Sequence, residues 1–293
     1  MSDAPDVLYA AQADTATYAA GDQFDVDTRL ADAVARMAAD GQPAVAIASF
    51  ARAYRMVAAG DRGLIGEAQI EPVQELPDGE IAAQQAQYQA IGRQALGRVA
   101  VVKLNGGLGT SMGMRGPKSL VDVRPGISFL DVVARQVLAL RRTSGTAIPL
   151  LLMDSFRTQA ESLATLARYP LLDVGLPLDF LQHRVPRIDV DTLTAIDWPA
   201  DPELMWCPPG HGDLYAALTS SGLLAALRTV GVRWLFVSNV DNLGATLDVG
   251  LLGWVVHHQA SFMMEVADRT SADRKGGHLA RAKSDGSLLL RER

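Results

Sequence analysis

Val99-Ala100-Val101-Val102-Lys103-Leu104-Asn105-Gly106-Gly107-Leu108-Gly109-Thr110-Ser111-Met112-Gly113-Met114-Arg115-Gly116-Pro117-Lys118-Ser119 is the stretch on which the reading of this chain turns. Val99 to Leu104 is a β-branched apolar run, the pattern of a strand covered on both faces in a parallel sheet. Asn105 to Gly116 then carries five glycines, at 106, 107, 109, 113 and 116. Such a backbone is free to take positive φ and to approach a ligand with no Cβ in the way. Consecutive N–H groups turned inward make an anion-binding nest, and Lys103, Arg115 and Lys118 bracket the loop with positive charge. The pattern predicts a triphosphate as guest.

Two better-known glycine motifs are excluded by spacing. A dinucleotide fingerprint started at Gly107 would need its third glycine at Met112. A P-loop is spoiled by Pro117 directly before Lys118, because proline lacks the backbone donor that motif uses. A plain glycine-rich surface turn explains one or two glycines, not five beside a buried strand with three cations.

Downstream, Ser128-Phe129-Leu130-Asp131 reads as a helix start with helical apolar spacing to Arg142, and Ile148 to Met153 as a second buried strand ending in Asp154. Strand, helix, strand at this spacing is a βαβ unit, which requires a parallel sheet, and ligands in such sheets bind at the carboxyl ends of the strands. Asp179 to Arg187 reads as a strand running into a polar, basic loop. Trp206 to Tyr215 holds His211 and Asp213 on a Pro-Gly turn, with Asp213 placed to cap a helix running to Leu227. Trp234 to Val237 is a third buried strand, delivering Asn239-Val240-Asp241 at its carboxyl end. Leu251 to Gln259 suggests a helix, Ser261 to Val266 a strand, and Lys275-Gly276-Gly277 a turn before a final hairpin.

Upstream, residues 1 to about 27 read as a loose arm. Helices are predicted over Thr28–Ala39, Ala44–Ala58 and roughly Gly79–Leu96, with Ile65–Pro77 an extended linker. The whole predicts a doubly wound, mostly parallel, Rossmann-like α/β domain at 98–293, preceded by a helical annex at 1–97.

The chain has 293 residues and a net charge of -6, which disfavours a nucleic-acid partner because no basic face is apparent. No signal peptide or membrane-length apolar run occurs. With Cys207 alone, no internal disulfide can form, so the cytoplasm is the simplest compartment and Cys207 reads as a small core residue. His257, His258 and Glu265 match no metal-ligand spacing.

Among candidate site residues, Lys118 reads as a phosphate neutraliser or as a solvated turn lysine. Asp241 reads as a Mg²⁺ ligand beside a phosphate or as an Asx turn closing the strand. His211 is a lone histidine in a turn, a setting more often structural than catalytic. Gln182 has no pattern of its own beyond a strand end.

Leu104 to Gly113 followed by Gly116-Pro117-Lys118-Ser119 resembles the signature loop of the eukaryotic-type UTP–glucose-1-phosphate uridylyltransferases, also called UDP-glucose pyrophosphorylases, and the resemblance runs from about Val99 to the last residue. It implies formation of UDP-glucose and pyrophosphate from UTP and glucose 1-phosphate with Mg²⁺, and Lys118, Arg115 and Asp241 as catalytic residues. It further implies that the Leu104, Asn105, Gly106 and Gly107 backbone and Lys118 contact UTP, that Gln182 and Gly210 recognise uracil, and that His211 touches the sugar phosphate. Asn239 and Asp241 would hold ribose and metal, with Asp241 the metal ligand. Arg115 stands where many members have lysine, which keeps the charge. Members continue past the position matching Arg293 through the rest of the sugar-binding half, a further phosphate-binding lysine and a C-terminal left-handed β-helix, so a truncated sequence is expected; Glu292 matches a sugar-contacting glutamate. Two alternatives stay open: a catalytically impaired UTP-binding fragment, and a uridylyltransferase for another sugar 1-phosphate.

Overall fold

The computed structural model of the chain describes residues 22–61, 63–108, 116–268, 270 and 276–291. They form two units, one within Met1–Leu64 and Pro186–Met205, the other within Ile65–Val185 and Trp206–Arg293.

In the first unit, α1 (Asp22–Ala39) buries Val26, Leu30, Ala33 and Met37, a stripe at helical spacing. The stripe begins at Val26, a turn ahead of Leu30, so the helix starts at Asp22 and not at Thr28; the expected arm up to residue 27 is helical from there on, and residues 1–21 lie outside the described residues. α2 (Ala44–Ala58) follows Pro43 and is stopped by Gly60, which sits at φ +73°. Tyr54 Oη donates to the Leu193 carbonyl at 2.7 Å and joins Val26, Leu30, Ala58 and Leu193 in a small core.

The second unit is built on a four-stranded parallel sheet. Chain order gives β1 (Ile70–Pro72), α3 (Gly79–Gln84), α4 (Ala86–Ala95) and β2 (Val99–Asn105). The hairpin β3 (Asp122–Arg124) and β4 (Ile127–Ser128) leads into α5 (Phe129–Ser144). There Ser128 and Asp131 form a reciprocal capping box: Asp131 N–H donates to Ser128 Oγ and Ser128 N–H to Asp131 Oδ2. β5 (Leu150–Asp154), α6 (Gln159–Leu166), β6 (Asp179–Leu181) and the two-residue strands β7 (Val185–Pro186) and β8 (Trp206–Cys207) follow. Then come α7 (Leu214–Ser220), α8 (Leu223–Thr229), β9 (Trp234–Asn239), α9 (Val249–His257), β10 (His278–Ala282) and β11 (Leu288–Arg291).

The sheet order is β6-β5-β2-β9, every neighbouring pair parallel. Alternate residues of β2 and β5 point to opposite faces. Val99, Val101, Leu150 and Leu152 pack with Leu130, Val133 and Val137 of α5 and Leu252 of α9. Ala100, Val102, Leu151 and Met153 pack with Leu214, Leu218 and Leu227 of α7 and α8. Helices therefore cover both faces, and the doubly wound α/β expectation holds. The chain steps outward from β2 to β5 to β6, then returns to the far side of β2 for β9. That reversal puts a topological switch point between β2 and β9, where open α/β sheets take their ligands at the carboxyl ends of the strands.

Several expectations require correction. The helix over 79–96 breaks at Gln85, and the one expected from 214 to 227 breaks at Ser221-Gly222. The supposed linker contains β1, an edge strand paired antiparallel with β10, which pairs in turn with β11. As an edge strand it tolerates Pro72. Ser261–Val266 is not a strand: Phe262, Met263, Met264 and Val266 are exposed and outside any ladder. Cys207 is half-buried, not a core residue. Gly250 and Gly253 of α9 press against Ala83 and Tyr88, where any Cβ would fall about 2 Å from a carbonyl oxygen. That is why so apolar a helix carries two glycines. No helix among the described residues is long and apolar enough to cross a membrane.

Candidate nucleotide-binding rim

The four strands end side by side. Asn105 is opposite Asp154, Asp154 is opposite Leu181, and Leu104 is opposite Asn239. The ladder bonds continue one step past the strands, with Gln182 N–H donating to Asp154 O at 2.8 Å and Val240 N–H to Leu104 O at 3.1 Å. The carboxyl ends of β2, β5, β6 and β9 thus make one continuous rim.

The loop after β2 leaves and returns through a closed neck. Leu108 bridges Pro117, and Lys118 N–H donates to Gly107 O at 3.0 Å. Gly109, Gly113 and Arg115 of the loop, and Glu292 near the chain end, lie outside the described residues. Of the described glycines, 106, 107 and 116 all have ordinary φ, so positive φ is not what they supply. At Gly106 the reason is close approach: a Cβ there would fall 1.7 Å from Gln182 Nε2. Gln182 lies across the Gly106 backbone, and only glycine leaves room for it.

Two side chains meet across the switch point. Lys118, leaving the neck, forms an ion pair with Asp241, in the turn after β9. Lys118 is 42 % and Asp241 26 % exposed, and a pair this wet is worth at most about 1 kcal/mol. The turn itself is held by Asn242, whose N–H donates to Asn239 O at 3.2 Å and whose Oδ1 accepts from Ala245 N–H at 3.2 Å. Asp241 is left to face Lys118. Asn239 is exposed at the strand end.

Beneath the rim lies a buried polar cluster. Asn105 turns inward, its Nδ2 donating to Asp154 Oδ1 at 2.7 Å and to Ser162 Oγ at 2.8 Å. Asp154 Oδ1 also accepts from Thr158 Oγ1 at 2.9 Å, yet burial away from water pushes the carboxyl up to about 6. Among the described residues, the buried side-chain oxygens lacking a partner are Asn105 Oδ1, Ser119 Oγ, Asp154 Oδ2 and Gln182 Oε1. All four sit at or next to this rim, an uncommon concentration of unmet hydrogen-bonding capacity.

Asp213 does not cap α7 with its side chain, contrary to expectation. It accepts from His183 N–H at 2.7 Å and bonds His183 Nδ1 at 2.8 Å, which ties the Gly210–Asp213 turn to the residue after Gln182. Gly210 takes φ +104°, a value side chains rarely allow, and His211 after it is exposed. His183 Nε2 lies 2.9 Å from Ser220 Oγ. The two amides that follow Ser220, those of Ser221 and Gly222, are bonded to the Ala217 and Thr219 carbonyls and offer no oxyanion donor.

Lys103, expected to bracket the loop, is instead buried beneath the rim. Sequence reasoning missed Asp154, His183 and the tie from Asp213 to His183; the signal available was that Asp154, like Asp241, is a polar residue ending an apolar strand.

A sequence profile described as UTP–glucose-1-phosphate uridylyltransferase matches residues 47–293. A Schizosaccharomyces pombe protein named probable UTP–glucose-1-phosphate uridylyltransferase is 43% identical over 203 residues, 69% of this chain and 40% of the relative. The Saccharomyces cerevisiae UTP–glucose-1-phosphate uridylyltransferase is 45% identical over 198 residues, 67% of this chain and 39% of the relative. The chain therefore spans about two fifths of the length of these relatives. Among solved structures, a UDP-glucose phosphorylase from Trypanosoma brucei superposes with a TM-score of 0.83 at 41% identity, over 90% of this chain and 56% of that one. A mutant UDP-glucose pyrophosphorylase from Leishmania major in complex with UDP-glucose gives 0.79 at 38% identity, over 90% and 57%.

Proposed function

Because this chain belongs to the UTP–glucose-1-phosphate uridylyltransferase family, we propose that its rim binds UTP and passes the uridylyl group to glucose 1-phosphate. A phosphate oxygen of the sugar phosphate attacks the α-phosphorus of UTP in line, the bond to the bridging oxygen breaks, and pyrophosphate leaves with UDP-glucose as product. The observation that carries this reading is the Lys118–Asp241 pair at the glycine-loop neck, across the switch point.

No covalent nucleophile is needed, since the attacking oxygen is already anionic; the barrier is charge repulsion and misalignment. The Leu104 to Gly107 backbone and Lys118 hold the phosphates, with Lys118 neutralising charge on the departing pyrophosphate. Gln182 and Gly210 recognise uracil, His211 touches the sugar phosphate, and Asn239 meets the ribose. Arg115 completes the cationic set. Lys118 pairs with Asp241, and substrate binding redirects Lys118 to phosphate.

The donor set fits Mg²⁺. Among the described residues Asp241 belongs to no cluster of three or more His, Cys, Asp or Glu, and Mg²⁺ is commonly held by one or two carboxylates with substrate phosphates and water. Asp241 would hold the ion, which would supply positive charge to the phosphate oxygens. Cytoplasmic placement belongs to the same proposal and rests on the lone cysteine.

A second reading is UTP binding at the same rim without turnover. Pyrophosphate release from UTP with glucose 1-phosphate, run beside galactose 1-phosphate and an N-acetylhexosamine 1-phosphate, separates the two. Stabilisation by UTP with no release selects binding alone; no stabilisation by UTP refutes both.

A further inference from the structure

Lys103 is set in β2 with strands on both sides and is 2 % exposed. Its neighbours on the same face of the strand, Val99 and Val101, are core residues, and an apolar side chain would suit position 103 better than an ammonium. The partners of Lys103 are neutral: Nζ donates to Ser238 Oγ at 2.7 Å and to Ala245 O at 2.9 Å, and it lies 5.8 Å from the Phe236 ring centroid. Burial pulls it down to about 8, so it stays mostly charged at neutral pH. Ser238 and Ala245 stand on either side of Asp241. With Leu104 O accepting from Val240 N–H, β2 grips this turn at three points, two of them through one side chain.

Resting on the nucleotide-site reading above, we propose that Lys103 is a positioning residue whose buried ammonium clamps both flanks of the Asp241 turn to β2 and so fixes the carboxylate opposite Lys118. The clamp sacrifices core stability for placement. A merely structural lysine would do the reverse: removing it would weaken the fold and leave the turn as it was.

The test compares wild type, Lys103→Met and Ser238→Ala by amide hydrogen exchange over residues 239–245, by urea unfolding, and by calorimetric titration with UTP in Mg²⁺. Met fills the lysine's volume without its donors, and Ser238→Ala removes one clamp point while keeping Lys103 and its bond to Ala245 O, so the second variant decides if the first does not fold. Exchange at Val240 is expected to rise about tenfold in Lys103→Met and several-fold in Ser238→Ala. The Lys103→Met urea midpoint should be unchanged or higher, and its UTP affinity about tenfold weaker. Unchanged exchange over 239–245 in both variants overturns the clamp, as does a lower midpoint with an unaltered turn. Faster exchange in a chain that binds no UTP even as wild type keeps the clamp and overturns the nucleotide reading.

Discussion

The substitution Asp154→Asn should stabilise this protein at neutral pH and remove a pH dependence. Asp154 is fully buried, and its carboxyl is raised from an ordinary 3.8 to about 6 because water is excluded from around it. The folded chain thus holds the proton more tightly than the unfolded chain. Between pH 4 and 6 the native state keeps a proton that the unfolded state has released, so stability falls as pH climbs through that window. The gap of roughly two pH units, at about 1.4 kcal/mol each, puts the loss near 3 kcal/mol at full extent. The amide in Asp154→Asn would keep the bonds from Asn105 Nδ2 and Thr158 Oγ1 and would put a donor where Oδ2 has no partner. Urea unfolding followed by tryptophan fluorescence, run on both proteins from pH 4 to 7.5, isolates the effect, since other titrating groups cancel in the difference. The advantage of the variant should be small at pH 4 and reach about 2–3 kcal/mol by pH 7.5. A difference that stays flat across this range, or a variant weaker than wild type at pH 7.5, would refute the reasoning.

Lys118→Ala should lower pyrophosphate release about 10²–10³-fold while weakening UTP binding far less, because the charge it opposes grows as the leaving group departs; equal losses in both would reduce it to a binding residue. Gly106→Ala places a methyl where Gln182 Nε2 lies, so UTP affinity should fall about tenfold and thermal stability should drop. The stability loss should shrink sharply in the Gly106→Ala/Gln182→Ala double variant, and additive losses would show that the two do not touch. Asp213→Ala unties His183 from the Gly210 turn and should cost about 1–3 kcal/mol in urea, with a raised KM for UTP and a largely kept kcat; a kcat loss without a KM change would argue for direct participation.

The parts of this fold legible in sequence are those where local pattern and final packing agree. β2 and β5 are mostly apolar because helices cover both of their faces, and Ser128 with Asp131 announces α5 through a cap that forms within one turn. The parts that were not legible depend on distant partners. β1 is three residues with a proline and becomes a strand only because β10 lies beside it, whereas Phe262–Val266 has strand-like letters and no ladder. The break at Gln85 gives no Gly or Pro signal, whereas the one at Ser221-Gly222 falls in a polar stretch whose glycine takes φ +75°. At the site, the loop neck and the Asp241 turn could be found by glycine spacing and strand-end position. Asp213 and Lys103 could not, because a capping position and a loop-flanking cation carry the same letters as a clamp on His183 and a buried tie to Ser238. Their roles are set by contacts with residues tens to more than a hundred positions away.

The pairing of Ile70 with Ala282 also has a temporal side. A ribosome making this chain delivers Ile70 long before Ala282, so β1 must wait until β10 has been made before its ladder can close. Such far-separated pairings slow the final step of folding, because the loop entropy is spent before any contact repays it. During that interval β1 has open edges, and β10 with β11 can first meet each other as a local hairpin. β10 and β11 therefore fold against a strand made much earlier, and chains halted before residue 278 would leave β1 without its partner β10.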